Sequence, residues 1–252
     1  MIFALLLLQA AASASPPAGP AAPDAEARFD RCADLATGDP ARGAQEATAW
    51  RLAGGGFLAQ QCLGLAYTTN RNYAAAADAF AQAAREAEVA KDGRAANYWA
   101  QSGNAWLAAG TPEKARPALD AAIASGRLTA LALGEAHLDR ARAIVASGDP
   151  LAARADLDAA IANAPDDPLA WLLSATHARR LEDLPRAQKD IAEALRRSPD
   201  DAAVQLEAGN IAALAGDEAA AKAAWTKATT LAPDSPSARA ARGALAQFSA
   251  GK

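Results

Sequence analysis

Apolar and small residues from Leu169 to Pro199 recur with the period of an α-helix, twice over. Trp171, Ser174, Ala175 and Ala178 fall at i, i+3, i+4 and i+7, one face of a first helix, and Ala187, Ile191 and Ala194 repeat the spacing on a second. Glu182 to Pro185 separates the two, and Pro199 closes the pair because a helix interior does not accept the proline ring. The predicted unit is a helical hairpin. Its second helix returns 34 residues later, Ala187, Ile191, Ala194 and Pro199 becoming Ala221, Trp225, Ala228 and Pro233, and 34 residues earlier as Ala153, Leu157, Ala160 and Pro165. Matches in four slots over three consecutive units indicate stacked repeats.

Turn chemistry supports the same register. Gly38-Asp39-Pro40, Gly110-Thr111-Pro112, Gly148-Asp149-Pro150 and Gly216-Asp217-Glu218 each place glycine at position 15 of a unit. Glycine suits the left-handed residue that ends a helix, Asp or Thr the next N-cap, and proline the first helical position.

The series resembles the tetratricopeptide repeat, with Trp171 at position 4, Ala175 at 8, Ala187 at 20, Ile191 at 24, Ala194 at 27 and Pro199 at 32; the glycine usual at position 8 is missing from this unit. The resemblance implies an all-α fold, an α-solenoid of helix-turn-helix repeats wound into a right-handed superhelix with a C-terminal capping helix. Residues 24–56 are expected to form a degenerate first hairpin, with Ala47 in the bulky slot and Trp50 where a small residue is usual. Five repeats are expected over 57–235, at 57–90, 96–129, 134–167, 168–201 and 202–235. The insertions Lys91 to Ala95 and Ala130 to Leu133 are expected to lengthen second helices, and 236–252 forms a capping helix and tail carrying Ala241, Leu245 and Phe248 on one face.

Met1 to Ala14 is an apolar run ending in Ala12-Ser13-Ala14, the small-x-small pattern of a signal-peptidase site, although it lacks a basic start. It is shorter than the roughly 20 apolar residues that cross a bilayer. Residues 1–14 are therefore expected to be a signal peptide and 15–23 a proline-rich linker, which places the protein in the periplasm; the alternative is a membrane-anchored protein facing the periplasm, held by an uncleaved N-terminus. Cys32 lies too far from the run to be a lipid-attachment site.

The 252 residues are 52% hydrophobic but only 5% aromatic, as expected of alanine-rich helices packed at close range. A net charge of −4 and the absence of any basic run argue against nucleic-acid binding. No GxSxG, HExxH, phosphate-binding glycine loop or CxxC occurs, and there are only two histidines. No catalytic residues, cofactor or metal site are expected. His137, in the aromatic slot of its unit, is read as structural packing, and His177 lies at position 10.

In the resembled family, first helices line a concave groove that holds a peptide or partner protein, mainly through positions 2, 5, 9, 12 and 13. Carried onto this chain, those positions include Asn97, Asn104, Arg142, Thr176, Arg179, Arg180 and Asn210, and of these Asn104, Arg142, Arg179 and Arg180 are expected to form a polar strip facing one ligand. Asparagine suits a peptide backbone and arginine a carboxylate. The lysine and asparagine set of chaperone-binding members is absent: positions 2 and 6 of the unit from Pro168 are Leu169 and Leu173. The expected role is a non-catalytic interaction scaffold or adaptor of the cell envelope; the alternative is an accessory subunit or envelope-biogenesis component near the membrane. Cys32 and Cys62 fall on consecutive first helices, which leaves open a disulfide or two separately buried thiols.

Overall fold

The computed structural model describes residues 23–250, so the signal segment and nearly all of the linker lie outside the described residues. Every regular element among them is an α-helix: α1 Pro23–Gly38, α2 Pro40–Leu52, α3 Gly56–Thr69, α4 Tyr73–Val89, α5 Ala95–Ala108, α6 Pro112–Ala124, α7 Ala130–Ala146, α8 Arg154–Asn163, α9 Pro168–Arg180, α10 Leu184–Arg197, α11 Ala202–Leu214, α12 Glu218–Leu231 and α13 Pro236–Ala250. Each helix packs on the next, and α1, α5, α7, α9 and α11 also touch the next odd-numbered helix in the chain. The result is an α-solenoid of six hairpins closed by α13. Among the described residues its interior is a row of five apolar clusters instead of one core, the first two bridged by Leu65, Tyr67 and Trp99.

Size complementarity inside each hairpin explains the repeat pattern. A Cβ on Gly64 would come within 2.5 Å of the Phe80 ring, one on Gly103 within 2.4 Å of Leu119, and one on Gly209 within 2.4 Å of the Trp225 indole. Each of these glycines sits at position 8 and faces the bulky residue at position 24 of its own unit. Where position 8 is Ala141 or Ala175, the counterparts at position 24 are the aliphatic Leu157 and Ile191, whereas both aromatic counterparts, Phe80 and Trp225, face glycine.

The turns hold several departures from expectation. Gly110, Gly148 and Gly216 are left-handed, with φ of 74°, 92° and 79°. Gly38 is not; the Asp39 N–H bonds the Leu35 carbonyl at 2.8 Å, so α1 simply runs to its end. Asp149-Pro150 was expected to start a helix, yet α8 begins only at Arg154. The Pro150 carbonyl instead accepts from His177 Nε2 of α9 at 2.6 Å, and the intervening residues form turns. Of the two insertions, the first accompanies a 17-residue α4, while the second extends the first helix α7, also 17 residues, instead of the second helix α6.

Two position-15 turns lack glycine: Arg71 and Glu182 adopt φ of 57° and 61°. A left-handed L-residue costs about 1–2 kcal/mol, and glycine returns about 0.4–1 kcal/mol of that to the unfolded chain. Glu182→Gly and Arg71→Gly should therefore each stabilise by about 0.5–1 kcal/mol, read as a higher midpoint in chemical denaturation. Glycine at the right-handed C-cap Ala109, φ −76°, should do the opposite.

Candidate functional site

The first helices build one large open cavity of about 1240 Å³. Leu65 of α3, Ala100 and Ala108 of α5, Leu131 and Ala132 of α7 and Leu169 of α9 give it apolar walls, and Asn97, Asn104 and Arg142 also line it. Tyr98 stands at its edge, buried, its hydroxyl donating to Gln61 Oε1 at 2.9 Å. Burial pushes that phenol up to about 12, so it remains a neutral donor. The Oε1 of Gln101, another lining residue, is buried and accepts no hydrogen bond.

The residues of the expected polar strip and groove are divided between two cavities. Asn97, Asn104 and Arg142 line the large cavity, whereas Arg179 and Asn210 line a second, shallower one of about 530 Å³ against α12 and α13. Thr176 and Arg180 line neither. Arg142 and Arg179 are already paired with carboxylates of this chain. Arg142 Nη1 donates to Asp139 Oδ1 at 2.7 Å, and the other oxygen of Asp139 accepts from Asn104 Nδ2 at 2.7 Å. Arg179 donates through Nε and Nη2 to the two oxygens of buried Glu207, at 2.6 and 3.3 Å, and Asn210 bridges Glu207 to the Trp225 indole. Asp139 and Glu207 both occupy position 6 of their units, each reaching back to position 9 or 12 of the unit before. That correspondence was available as a signal, because a carboxylate at position 6 sits opposite the groove residues of the preceding repeat.

Around the cavity the charge balance is acidic. Glu135, Asp139, Asp166 and Asp167 line one end. Arg94, the second lining cation, is held by Asp92 and by Glu26, at 2.8 Å in each pair, beneath a stacking contact with Phe57. Its hydrogen bond is the main cause holding the Asp92 carboxyl below the ordinary value. The loop carrying Asp166 and Asp167 is fastened in place, since the Pro165 carbonyl accepts from both Trp171 Nε1, at 2.8 Å, and Arg197 Nε, at 2.7 Å.

A second polar cluster lies between hairpins and has a structural role. Asp156 accepts from Arg140 through both oxygens, at 2.9 and 2.6 Å, and from His137 Nδ1 at 2.7 Å, while Arg140 also reaches Asp120 at 2.9 Å. One hairpin further on, buried Asp190 accepts from Ser174 at 2.5 Å and from Arg186 at 3.2 Å, and Arg186 also pairs with Asp158. With its oxygens filled by fixed donors, Asp156 is a packing element and offers no free base. Among the described residues no group of three His, Cys, Asp or Glu side chains is arranged to hold a metal ion.

At the N-terminal end the Cys32 and Cys62 sulfurs are bonded, with Cα atoms 6.0 Å apart and both residues fully buried, which ties α1 to α3.

No family model matches the chain, and no curated protein is similar enough to count as a relative. Solved structures do match. PilW, described as a widely conserved type IV pilus biogenesis factor, superposes with a TM-score of 0.70 at 19% identity over 86% of this chain and 97% of its own. Pseudomonas aeruginosa PilF gives 0.69 at 15% identity over 91% and 100%. YrrB, a tetratricopeptide-repeat protein with an unusual peptide-binding site, gives 0.57 at 18% identity over 79% and 96%. At these identities the likeness speaks to the fold, and with the 34-residue register and the thirteen sequentially packed helices of the described residues it identifies the chain as a solenoid of the tetratricopeptide-repeat type.

Proposed function

We propose that this solenoid is a non-catalytic protein-interaction scaffold of the cell envelope, holding a peptide or a segment of a partner protein in the cavity formed by α3, α5, α7 and α9. The observation that carries the reading is the cavity itself: large, open, apolar along its walls and edged by polar groups, which is the combination that seats an extended segment. The position in the envelope is supported by three separate features. The apolar leader ends in a cleavage-type pattern, Cys32 and Cys62 are bonded as oxidising compartments permit, and PilW, itself a pilus biogenesis factor, has the same fold.

Site-specific photo-crosslinking tests the assignment. A photoreactive residue at Ala108 or Ala132 should capture a partner in envelope preparations, whereas one at Lys189, exposed on the second helix α10, should not. Crosslinks confined to Lys189 would move the binding face to the second helices and discard the groove.

A further inference from the structure

The cavity's charge does not match the carboxylate ligand that its arginines would otherwise imply. Both lining guanidiniums are already neutralised within the chain, Arg142 by Asp139 and Arg94 by Asp92 and Glu26. Glu135 and Asp166, by contrast, are exposed carboxylates at the cavity's α7–α9 end, and Asp167 lies beside them, its side chain spent only on capping α9 through the Leu169 N–H at 2.9 Å. Two large apolar side chains stand in the same place: Leu131 is 54% exposed and Leu169 46% exposed, both among the few large hydrophobics left open to solvent.

We infer that the groove selects a cationic, partly apolar segment, with a lysine or arginine side chain seated among Glu135, Asp166 and Asp167 and a neighbouring apolar side chain covering Leu131 and Leu169. This rests on the groove being the binding face and adds the chemistry of its occupant. Charge complementarity is what selects the occupant. An acidic segment would meet unpaired carboxylates with no free cation to offset them, whereas a cation relieves the repulsion among them. That repulsion is already felt: burial, and then the charges of Asp167 and Asp139, push the Glu135 carboxyl above its ordinary value. The loop bearing Asp166 and Asp167 is held by Trp171 and Arg197, so the negative end is in place before a ligand arrives and little ordering is required on binding.

Fluorescence anisotropy with three labelled ten-residue peptides tests this. They share a Ser/Gly frame with three leucines and differ only in carrying two lysines, two glutamines or two glutamates. The lysine peptide should bind most tightly, at least about tenfold better than the glutamate peptide, with the preference shrinking as salt is raised. Glu135→Gln with Asp167→Asn should lower affinity for the lysine peptide about tenfold, asparagine still being able to cap α9. Glu113→Gln with Asp200→Asn, an equal change of net charge on exposed residues outside the cavity, should leave it unchanged. Binding of the glutamate peptide as well as the lysine peptide, equal loss in both double variants, or no binding of the lysine peptide would each overturn the inference. The groove reading is judged separately by the crosslinks from Ala108 and Ala132, so a groove that captures partners but prefers the glutamate peptide would remove only the cation.

Discussion

Replacing Asp156 by alanine is expected to destabilise the array by about 3 kcal/mol, because it strands the Arg140 guanidinium and His137 without their shared acceptor. The Asp156 side chain is only 7% exposed, so water cannot substitute well, although Arg140 at 24% retains some hydration and keeps Asp120. Alanine is nonetheless what other units use: position 23 holds Ala79 and Ala118 in the hairpins α3/α4 and α5/α6, and Leu63 stands at position 7, the place of Arg140. The double variant Arg140→Leu with Asp156→Ala copies the Leu63 and Ala79 pair and should regain most of the loss, since a buried ion pair exchanged for apolar packing is often neutral. A double variant no better than the single one would show that the network, and not the orphaned charge, sets the stability. The pH dependence has a definite sign. Burial alone would raise the Asp156 carboxyl, but the hydrogen bonds from Arg140 and then His137 outweigh it and hold it below the ordinary aspartate value. Its contribution is therefore full above the unfolded value and lost as pH falls through the lower folded value, so wild type and Asp156→Ala should converge in stability in strong acid.

The other large effect concerns the N-terminal end. Cys32→Ala with Cys62→Ala removes a link that closes 30 residues of sequence, worth about 3.5 kcal/mol in the chain-entropy account. In a repeat array that loss falls on the units it joins. Amide exchange in α1 and α2 should therefore quicken by about a hundredfold or more, with α9 to α12 nearly unaffected. Reductant should reproduce the change in the wild-type protein and add nothing to the double variant. Exchange that ignores both treatments would mean the first hairpin is held by packing around Trp50 and Phe57 alone.

The hairpins were legible in the chain because their determinants lie within one unit. Gly209 and Trp225 are 16 residues apart and recur as Gly64 with Phe80, so a period and a size rule suffice to place them. The site was legible only as positions. Asn97, Asn104 and Arg142 do line the cavity, but their charge state depends on Asp139, and that of Arg179 depends on Glu207, 28 residues away on another helix. A pattern that locates a guanidinium on a helix face does not say that a neighbouring repeat has already neutralised it. The late start of α8 was hidden for the same reason: local chemistry at Asp149-Pro150 favours a helix start, and it is His177 of the following hairpin that holds the Pro150 carbonyl.

The row of apolar clusters also gives the molecule a mechanical polarity. The cluster joining the first three hairpins includes Trp50, Phe57, Leu58, Leu63 and Tyr98 and is cross-linked, while the last, among the described residues, has Ala221, Trp225, Ala228 and Ala241 as its buried members. Under tension the chain would shed α13 and the final hairpin before the cross-linked hairpins at the other end. A partner pulling on the C-terminal end would thus stretch a yielding spring before the load reached the cross-linked hairpins.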